Sequence, residues 1–311
     1  MRVLGFVDYE AQGRGLARAL DCDYAPVDVH RFPDGESKLT LPAELPEQVV
    51  VCRSLDRPND KLIELLLTAT TARRLGAQRL TLVAPYLCYM RQDKAFHPGE
   101  AVSQPIIGGF LAGLFDAVIT VDPHLHRVHQ LADAVPAQQA VALSATAPMG
   151  DFLHERLHKQ LYKQLHERQH ERPAVLLLGP DSESRQWVSR IAERDGLDYD
   201  VASKTRLGDR QIEIALPERD WSGKHVIIVD DVISSGETIA IAAQQCIARG
   251  AARVDVLTTH ALFAPGAMDR LREVGVGDIW STDSIPHETN AIPLAGLLAG
   301  AVRETEHKLI A

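Results

Sequence analysis

The segment from Val226 to Thr238 reads VIIVDDVISSGET and constrains the fold more than any other part of the chain. It predicts an apolar strand, then two adjacent carboxylates, then a turn of small residues that opens a helix. A strand that is apolar throughout is typical of a parallel sheet covered by helices on both faces. In such sheets ligands bind beyond the carboxyl ends of the strands, which is where this turn lies.

Other short runs of apolar and β-branched residues predict further strands of the same kind. The predicted strands are Val3–Val7, Gln48–Cys52, Leu80–Ala84, Ala117–Val121, Ala174–Leu178, His225–Val229 and Val254–Thr259. Apolar residues at helical spacing predict helices over Asn59–Leu75, Ser184–Arg194 and Thr238–Arg249. Each helix lies between two strands, as in right-handed βαβ units, so the chain is predicted to belong to the α/β class.

The length of 311 residues favours two domains, each with a mainly parallel sheet flanked by helices. Ala142–Asp151 is rich in small residues and includes Pro148 and Gly150. We therefore expect a boundary near residue 145, with an N-terminal domain over 1–145 and a C-terminal domain over 146–291. A helix over about 292–311 is expected to pack back on the N-terminal domain.

A polar, histidine-rich helix is predicted over Phe152–His170. His154 and His158 are four residues apart and can bind a metal in principle, but their neighbours are Glu, Lys, Gln and Arg without a set of acidic or cysteine partners. We expect a solvated face there.

Composition excludes several classes of function. The net charge of −9 argues against binding of nucleic acid, which needs a basic face. The four cysteines show no CxxC spacing, so no zinc site or disulfide framework is indicated. The N-terminus lacks a basic segment followed by an apolar run, and no apolar stretch is long enough to span a bilayer. We expect a cytoplasmic protein that does not bind membranes.

The opening segment carries the chemistry of a phosphate and sugar site. Backbone amides at the start of the helix, with the hydroxyls of Ser234, Ser235 and Thr238 around Gly236, form a cradle for a phosphate. Asp230 and Asp231 repel each other unless cations or hydroxyl donors, such as those of a ribose, lie nearby. An acidic loop that merely caps the helix is the alternative.

On these residues the chain resembles the phosphoribosyltransferase superfamily, whose hallmark is a strand, two acids and a small-residue phosphate loop. Segments along nearly the whole chain resemble the ribose-phosphate diphosphokinase family. Phe32–Glu36, FPDGE, is similar to its adenine loop, which implies that Phe32 covers the base and that Asp34 and Glu36 hold its amino group. Without the resemblance, FPDGE indicates only a turn.

Two further segments resemble the ATP side of the same family. Ala84–Lys94 contains PYLCYMRQD, similar to PYxxYxRQD, which implies ATP contacts from Arg91, Gln92 and Asp93. A basic surface loop is the alternative. Val121–His124, VDPH, is similar to VDxH, which implies that His124 assists in the region of the magnesium ion and the ATP phosphates.

The second half carries two more similarities. Gly179-Pro180-Asp181 resembles the loop for the forming diphosphate and implies that Asp181 binds magnesium, but Ser182–Arg185 replaces the usual two glycines. Ser184 and the backbone amides at the start of the following helix can still bind the diphosphate there. Lys204 and Arg206 resemble the Lys-x-Arg pair of the flexible catalytic loop, although KTR by itself is a common surface tripeptide.

The hallmark segment departs from the typical family member. Ser234 and Ser235 stand where a third acid and a threonine are usual, and Glu237 stands where a small residue is common. The serines keep the phosphate cradle but remove one negative charge near the ribose.

The resemblance implies an ATP-side N-terminal domain and a phosphoribosyl-binding C-terminal domain. The implied reaction transfers the diphosphoryl group of Mg-ATP to O1 of ribose 5-phosphate and gives phosphoribosyl diphosphate and AMP, with Mg²⁺ as cofactor. It also implies a homo-oligomer built from dimers, with a hexamer as one form. Two alternatives stay open, namely a phosphoribosyltransferase that consumes phosphoribosyl diphosphate and a non-catalytic regulatory homologue.

Overall fold

A computed structural model describes residues 1–125, 127–128, 130–166, 174–206 and 212–310 of the chain. Its strands are β1 Arg2–Gly5, β2 Asp23–Pro26, β3 Asp28–Arg31, β4 Ser37–Thr40, β5 Gln48–Cys52, β6 Arg79–Val83, β7 Ala117–Val121, β8 Gln139–Leu143, β9 Val175–Gly179, β10 Asp198–Val201, β11 Ser203–Arg206, β12 Ile212–Ala215, β13 His225–Ile233, β14 Arg253–Ala261, β15 Ile279–Thr282 and β16 Asn290–Ile292. Its helices are α1 Glu10–Leu20, α2 Pro58–Arg74, α3 Ser103–Ala112, α4 Leu131–Ala134, α5 Thr146–His166, α6 Arg185–Asp195, α7 Glu237–Ala248, α8 Ala267–Glu273 and α9 Ala295–Ile310.

The chain divides into two compact units. The first comprises Met1–Ser144, Ser284–Pro286 and Leu294–Ala311, and the second comprises Ala145–Asp283 and His287–Pro293. Each unit is built on one six-stranded sheet whose strands all run parallel, in the order β2-β1-β5-β6-β7-β8 in the first and β10-β9-β13-β14-β15-β16 in the second. The α/β class predicted from the sequence is confirmed.

The predicted strands and helices are present, with small shifts at their ends. β5 and β7 have the predicted bounds, whereas β13 continues to Ile233, past the predicted end at Val229. Helix α5 begins at Thr146, ahead of the predicted start at Phe152, and the predicted end at His170 lies outside the described residues. Two antiparallel hairpins, β3–β4 and β11–β12, are additional to the predicted strands.

The central strands form the core of each unit. Val49, Val50 and Val51 of β5 are fully buried in the first unit, as are Ile227 and Ile228 of β13 in the second. Full burial of such a side chain contributes about 1.5–3 kcal/mol, so these strands fix the sheets on which the loops at their carboxyl ends are mounted.

Helix α9 closes the first unit by packing against α1. Its Glu306 is 5% exposed and accepts hydrogen bonds from Thr81 Oγ1 at 2.9 Å and from Arg79 Nε at 3.4 Å, both on β6. The end of the chain is therefore tied to the first sheet. Among the described residues, no helix combines the length and the apolar character needed to cross a membrane.

Candidate active site

The turn after β13 places a glycine with a positive φ directly before a helix. Gly236 adopts a left-handed conformation with φ 71° and ψ 1° as the residue before α7. A Cβ atom there would lie 3.4 Å from the Ala267 carbonyl oxygen, so glycine suits both the angle and the space. The first amides of a helix have no carbonyl partner within it, and those of α7 lie at the carboxyl end of β13, where they can bind an anion.

Neighbouring segments hold this turn in shape. Ala264 N donates to the Ser234 carbonyl at 3.0 Å, and Arg270 Nη1 donates to the Ser235 carbonyl at 2.6 Å. Ser235 is exposed, and its Oγ accepts a hydrogen bond from Glu237 N at 3.4 Å. Ser234 and Thr238 are partly exposed, so their hydroxyls border the surface of the loop.

The two adjacent acids, Asp230 and Asp231, lie near the carboxyl end of β13, just before this turn. Asp231 is buried, and Asp230 is partly buried with its Oδ1 accepting from Asp231 N at 3.0 Å. Burial, and next the charges of Asp231 and Asp181, raise the pKa of Asp230 well above its ordinary value, while Lys204 opposes the rise. A carboxyl in such a place favours a cation or hydroxyl donors as partners.

Asp181 follows β9, the strand next to β13. Its Oδ1 accepts from the amides of Glu183 and Ser184 at 3.1 and 3.3 Å, and Ser184 Oγ donates to its carbonyl at 2.5 Å. This capping box starts a short 3-10 turn ahead of α6. Ser184 is fully buried and these groups are already bonded to Asp181, so the geometry does not support the expectation that they hold the diphosphate.

Lys204 reaches the same carboxylate. Its Nζ lies 3.4 Å from Asp181 Oδ2, with both side chains mostly buried. Lys204 is held on β11, where it pairs across the hairpin with Ile214 of β12. Arg206 ends β11 and pairs in the backbone with Ile212, while its side chain lies outside what the structure describes.

In the first unit, Phe32–Glu36 forms the loop of the β3–β4 hairpin, so the predicted turn is confirmed. Phe32 N donates to the Glu36 carbonyl at 2.8 Å, and Glu36 N donates to Asp34 Oδ1 at 3.1 Å. The Phe32 side chain is 41% exposed and meets the His30 ring edge to face at 4.7 Å between centroids. An accessible aromatic ring therefore lies beside two exposed carboxylates.

The segment after β6 is anchored by two of its predicted ATP ligands. Gln92 Oε1 accepts from Ser103 Oγ at 3.0 Å, which ties the segment to α3, and Arg91 is exposed. The Asp93 side chain is only 3% exposed, and its two oxygens accept from Arg127 Nη1 at 2.7 Å and Arg127 N at 3.2 Å. Asp93 thus joins this segment to the loop after β7.

His124 follows β7, the neighbour of β6, and is partly buried. It therefore shares the carboxyl edge of the first sheet with Arg91 and Gln92. His126 and His129 lie outside the described residues. Among the residues that the structure describes, no group of three or more His, Cys, Asp or Glu side chains is placed to hold a metal ion.

On the histidine-rich helix α5, His154 has an acidic partner that lies far away in the sequence. Its Nδ1 lies 2.6 Å from Oδ1 of Asp195 on α6. The His154 side chain is 39% exposed, so this contact lies at the surface, where α6 packs against α5. The side chain of His158 lies outside the described part of the chain.

Arg127 and Arg270 are site-supporting residues that sequence reasoning missed. Each bonds a loop 34 or 35 residues away in the chain, which no local pattern reveals.

Two parallel α/β units, the second with an acid pair and a phosphate-type turn, define the class of phosphoribosyltransferase-like α/β proteins. The ribose-phosphate pyrophosphokinase of Methanopyrus kandleri is 36% identical over 291 residues, which cover 93% of this chain and 94% of that protein. That of Methanobrevibacter smithii is 31% identical over 303 residues, covering 93% and 95%. The chain therefore belongs to the ribose-phosphate pyrophosphokinase family, as its motifs predicted.

Family models and a solved structure agree with this placement. A model of the N-terminal domain of ribose phosphate pyrophosphokinase matches residues 2–113, and one of the phosphoribosyl synthetase-associated domain matches residues 215–305. The crystal structure of phosphoribosylpyrophosphate synthetase from Mycobacterium smegmatis has the same fold, with a TM-score of 0.80 at 23% identity over 99% of both chains.

Proposed function

We propose that the chain transfers the diphosphoryl group of Mg-ATP to O1 of ribose 5-phosphate, giving phosphoribosyl diphosphate and AMP. The observation that carries this proposal is the cluster of Asp181, Lys204 and Asp230 beside the phosphate-type turn of α7. A cation next to desolvated carboxylates suits a reaction between polyphosphate and sugar. Family membership over 93% of the chain supports the same reaction.

Ribose 5-phosphate binds in the second unit in this proposal. The amides at the start of α7 and the hydroxyls of Ser234, Ser235 and Thr238 hold the 5-phosphate, and Gly236 supplies the turn that exposes those amides. Asp230 and Asp231 accept hydrogen bonds from the ribose hydroxyls, directly or through magnesium.

ATP contacts residues of the first unit. The exposed ring of Phe32 stacks on the adenine, while Asp34 and Glu36 accept from its exocyclic amine. Arg91 offers a planar fork to the phosphates, and Gln92 helps to place them. We assign Asp93 to joining two loops through Arg127 rather than to ATP, because its carboxyl is buried and occupied.

Magnesium fits the groups present as part of Mg-ATP. Mg²⁺ is commonly bound by one or two carboxylates together with substrate phosphates and water, which agrees with the lack of a larger ligand cluster among the described residues. Asp181 would supply a carboxylate oxygen, and His124 would contact phosphate or a metal-bound water. When bound, the ion would neutralise phosphate charge that otherwise repels the incoming oxygen.

The transfer itself is an in-line displacement. O1 of ribose 5-phosphate bonds to the β-phosphorus, the bond from that phosphorus to the α,β-bridging oxygen breaks, and AMP leaves with that oxygen while the O1 proton passes to water. Lys204 and Arg206 stabilise the charge that develops on the phosphoryl oxygens. No described side chain is an evident general base, and positioning with electrostatics suffices for such reactions.

We propose that the protein is cytoplasmic. We also propose that it forms a homo-oligomer built from dimers, with a hexamer as one form. Mass measurement in solution tests the assembly, since a strict monomer at micromolar concentration would contradict it.

The deciding assay incubates the protein with ATP and ribose 5-phosphate, with and without Mg²⁺, and quantifies AMP and phosphoribosyl diphosphate. We expect equimolar amounts of both, dependent on ribose 5-phosphate and on Mg²⁺. Release of diphosphate from supplied phosphoribosyl diphosphate and a nucleobase would instead identify a phosphoribosyltransferase. No turnover in either assay would identify a non-catalytic homologue.

A further inference from the structure

Glu64 of α2 is a buried carboxylate that three side chains bind. It is 1% exposed, and its two oxygens are divided between two parts of the first unit. Oε1 accepts from Arg31 Nη2 at 3.1 Å and Ser37 Oγ at 3.0 Å, whereas Oε2 accepts from Arg53 Nη1 at 2.5 Å. A buried carboxylate is tolerated only when such donors replace water.

The two donors on Oε1 are the closing pair of the β3–β4 hairpin. Arg31 ends β3, Ser37 begins β4, and the two are cross-strand partners. The loop 32–36 between them is exposed throughout. The position of this loop therefore depends on how the Arg31–Ser37 pair is held against the rest of the unit.

The donor on Oε2 belongs to the sheet. Arg53 follows β5, is 4% exposed, and lies over the Phe6 ring with 4.0 Å from Cζ to the centroid. Its Nε also donates to Asp8 Oδ1 at 3.2 Å. Phe6 and Asp8 follow β1, so Glu64 is linked to the carboxyl ends of two central strands.

We propose that Glu64 is a positioning residue for ATP, because its carboxylate fixes the 32–36 loop to the first sheet. This rests on the proposed function, in which that loop binds adenine. Glu64 acts through Arg31 and Ser37 and does not touch the nucleotide itself. Arg31 also forms an ion pair with Asp60 of α2, at 2.6 Å. Both of these side chains are exposed, and exposed ion pairs are weak, so this pair cannot replace Glu64 in holding the hairpin.

Glu64→Gln is a sharp test of this role. A glutamine has one acceptor oxygen and one amide donor, so it satisfies either the hairpin or Arg53 but not both. Glu306→Gln is the matched control, because Glu306 is also buried in the same unit and binds Thr81 and Arg79 without contacting the hairpin.

The measurement is the Kd of Mg-ATP alone by calorimetry on the full chain, followed by steady-state kinetics. Glu64→Gln should raise the Kd and the KM for ATP about tenfold, as expected for loss of one charge-assisted hydrogen bond, while kcat and the KM for ribose 5-phosphate change less than about threefold. Glu306→Gln should leave the Kd for Mg-ATP within about twofold. An unchanged Kd in folded Glu64→Gln, or an equal rise in both variants, would overturn the proposal.

Ser37→Ala keeps the proposal testable if Glu64→Gln does not fold. It removes one donor from a partly buried position and should raise the Kd for Mg-ATP about threefold, with a fall in Tm of only a few degrees. An unchanged Kd would then overturn the role of Glu64. The Kd of Mg-ATP is measured without turnover, so this test does not depend on the reaction. If the wild type released no AMP, the proposed reaction would be contradicted, but the role of Glu64 in ATP binding would still be tested by the Kd.

Discussion

The ammonium nitrogen of Lys204 lies 3.4 Å from Oδ2 of Asp181, so the β11–β12 hairpin touches the carboxyl end of β9. Only 18% and 21% of the two side chains are exposed, which limits screening of this pair by water. Phosphate oxygens brought to this place would compete with Asp181 for the ammonium group. The pair therefore links the proposed charge-stabilising residue to a proposed ligand of magnesium.

Lys204→Ala should reduce kcat about 10²–10³-fold, because it removes a preorganised cation from the developing phosphoryl charge. The Kd of Mg-ATP should change less than about threefold. Lys224→Ala is the control, since Lys224 directly precedes β13 at the opposite edge of the same sheet. Normal kcat in Lys204→Ala, or equal losses in both variants, would exclude the catalytic role.

Asp230→Asn should stabilise the substrate-free protein while abolishing most turnover. Because the pKa of Asp230 is raised in the folded state, ionisation costs stability as the pH rises from about 4 to the folded pKa. A tenfold change in an acid's ionisation constant corresponds to about 1.4 kcal/mol, and a gain of about 1 kcal/mol raises Tm by about 2–4 °C.

The check is thermal unfolding without Mg²⁺ at a series of pH values. The Tm advantage of Asp230→Asn should be largest near pH 8 and shrink toward pH 4, where the wild-type carboxyl is protonated. An Asp230→Asn protein that melts below the wild type at pH 8 would refute this assignment of charge.

Asp255→Asn should have the opposite effect on stability. Burial raises the pKa of Asp255, but hydrogen bonds from His225, Arg253 and the Asp278 amide outweigh it and hold the pKa below its ordinary value. This carboxylate contributes stability above about pH 4 and loses it as the pH falls through the lowered pKa.

Loss of one partner from this buried cluster should lower the free energy of unfolding by about 3 kcal/mol at pH 7. Urea unfolding measures it. His225 and Arg253 begin β13 and β14, the edge opposite the phosphate loop, so the KM for ribose 5-phosphate should stay unchanged. A KM change without loss of stability would contradict a purely structural role for Asp255.

Gly236→Ala should weaken binding of ribose 5-phosphate about tenfold or more, because alanine resists φ 71° and distorts the turn before α7. Gly223→Ala is the matched control. Gly223 has φ 67°, and a Cβ there would meet no atom within 4 Å. Both changes should cost about 1–2 kcal/mol of stability, but only Gly236→Ala should raise the KM for ribose 5-phosphate. If the two variants had the same KM for ribose 5-phosphate, the turn before α7 would not be the site that binds the 5-phosphate.

Much of the fold was predictable because the two parallel sheets are built from continuous apolar runs. Gln48–Cys52 and Ala117–Val121 have the predicted bounds, since strands covered on both faces are apolar at nearly every position. The β3–β4 and β11–β12 hairpins lie outside the sheets and carry polar residues such as His30 and Lys204, so their strands gave no such signal.

The roles of single charged residues were less predictable. The capping role of Asp181 has a local signal, since this acid lies three residues before Ser184. The burial of Glu64 also has a local signal, because its position in the helical repeat places it on the buried face of α2, together with Lys61 and Thr68. The pairing of Asp93 with Arg127 has none, because it depends on two loops that only the sheet brings together.

The central claim is that both the β- and γ-phosphoryl groups leave ATP together. The most direct measurement uses ATP carrying phosphorus-32 at the β-position, with ribose 5-phosphate and Mg²⁺, and follows the radioactive label through chromatographic separation of the products. We predict that all of the transferred label appears in phosphoribosyl diphosphate and that the AMP formed is unlabelled. Label found in ADP, or in free diphosphate without phosphoribosyl diphosphate, would contradict the claim.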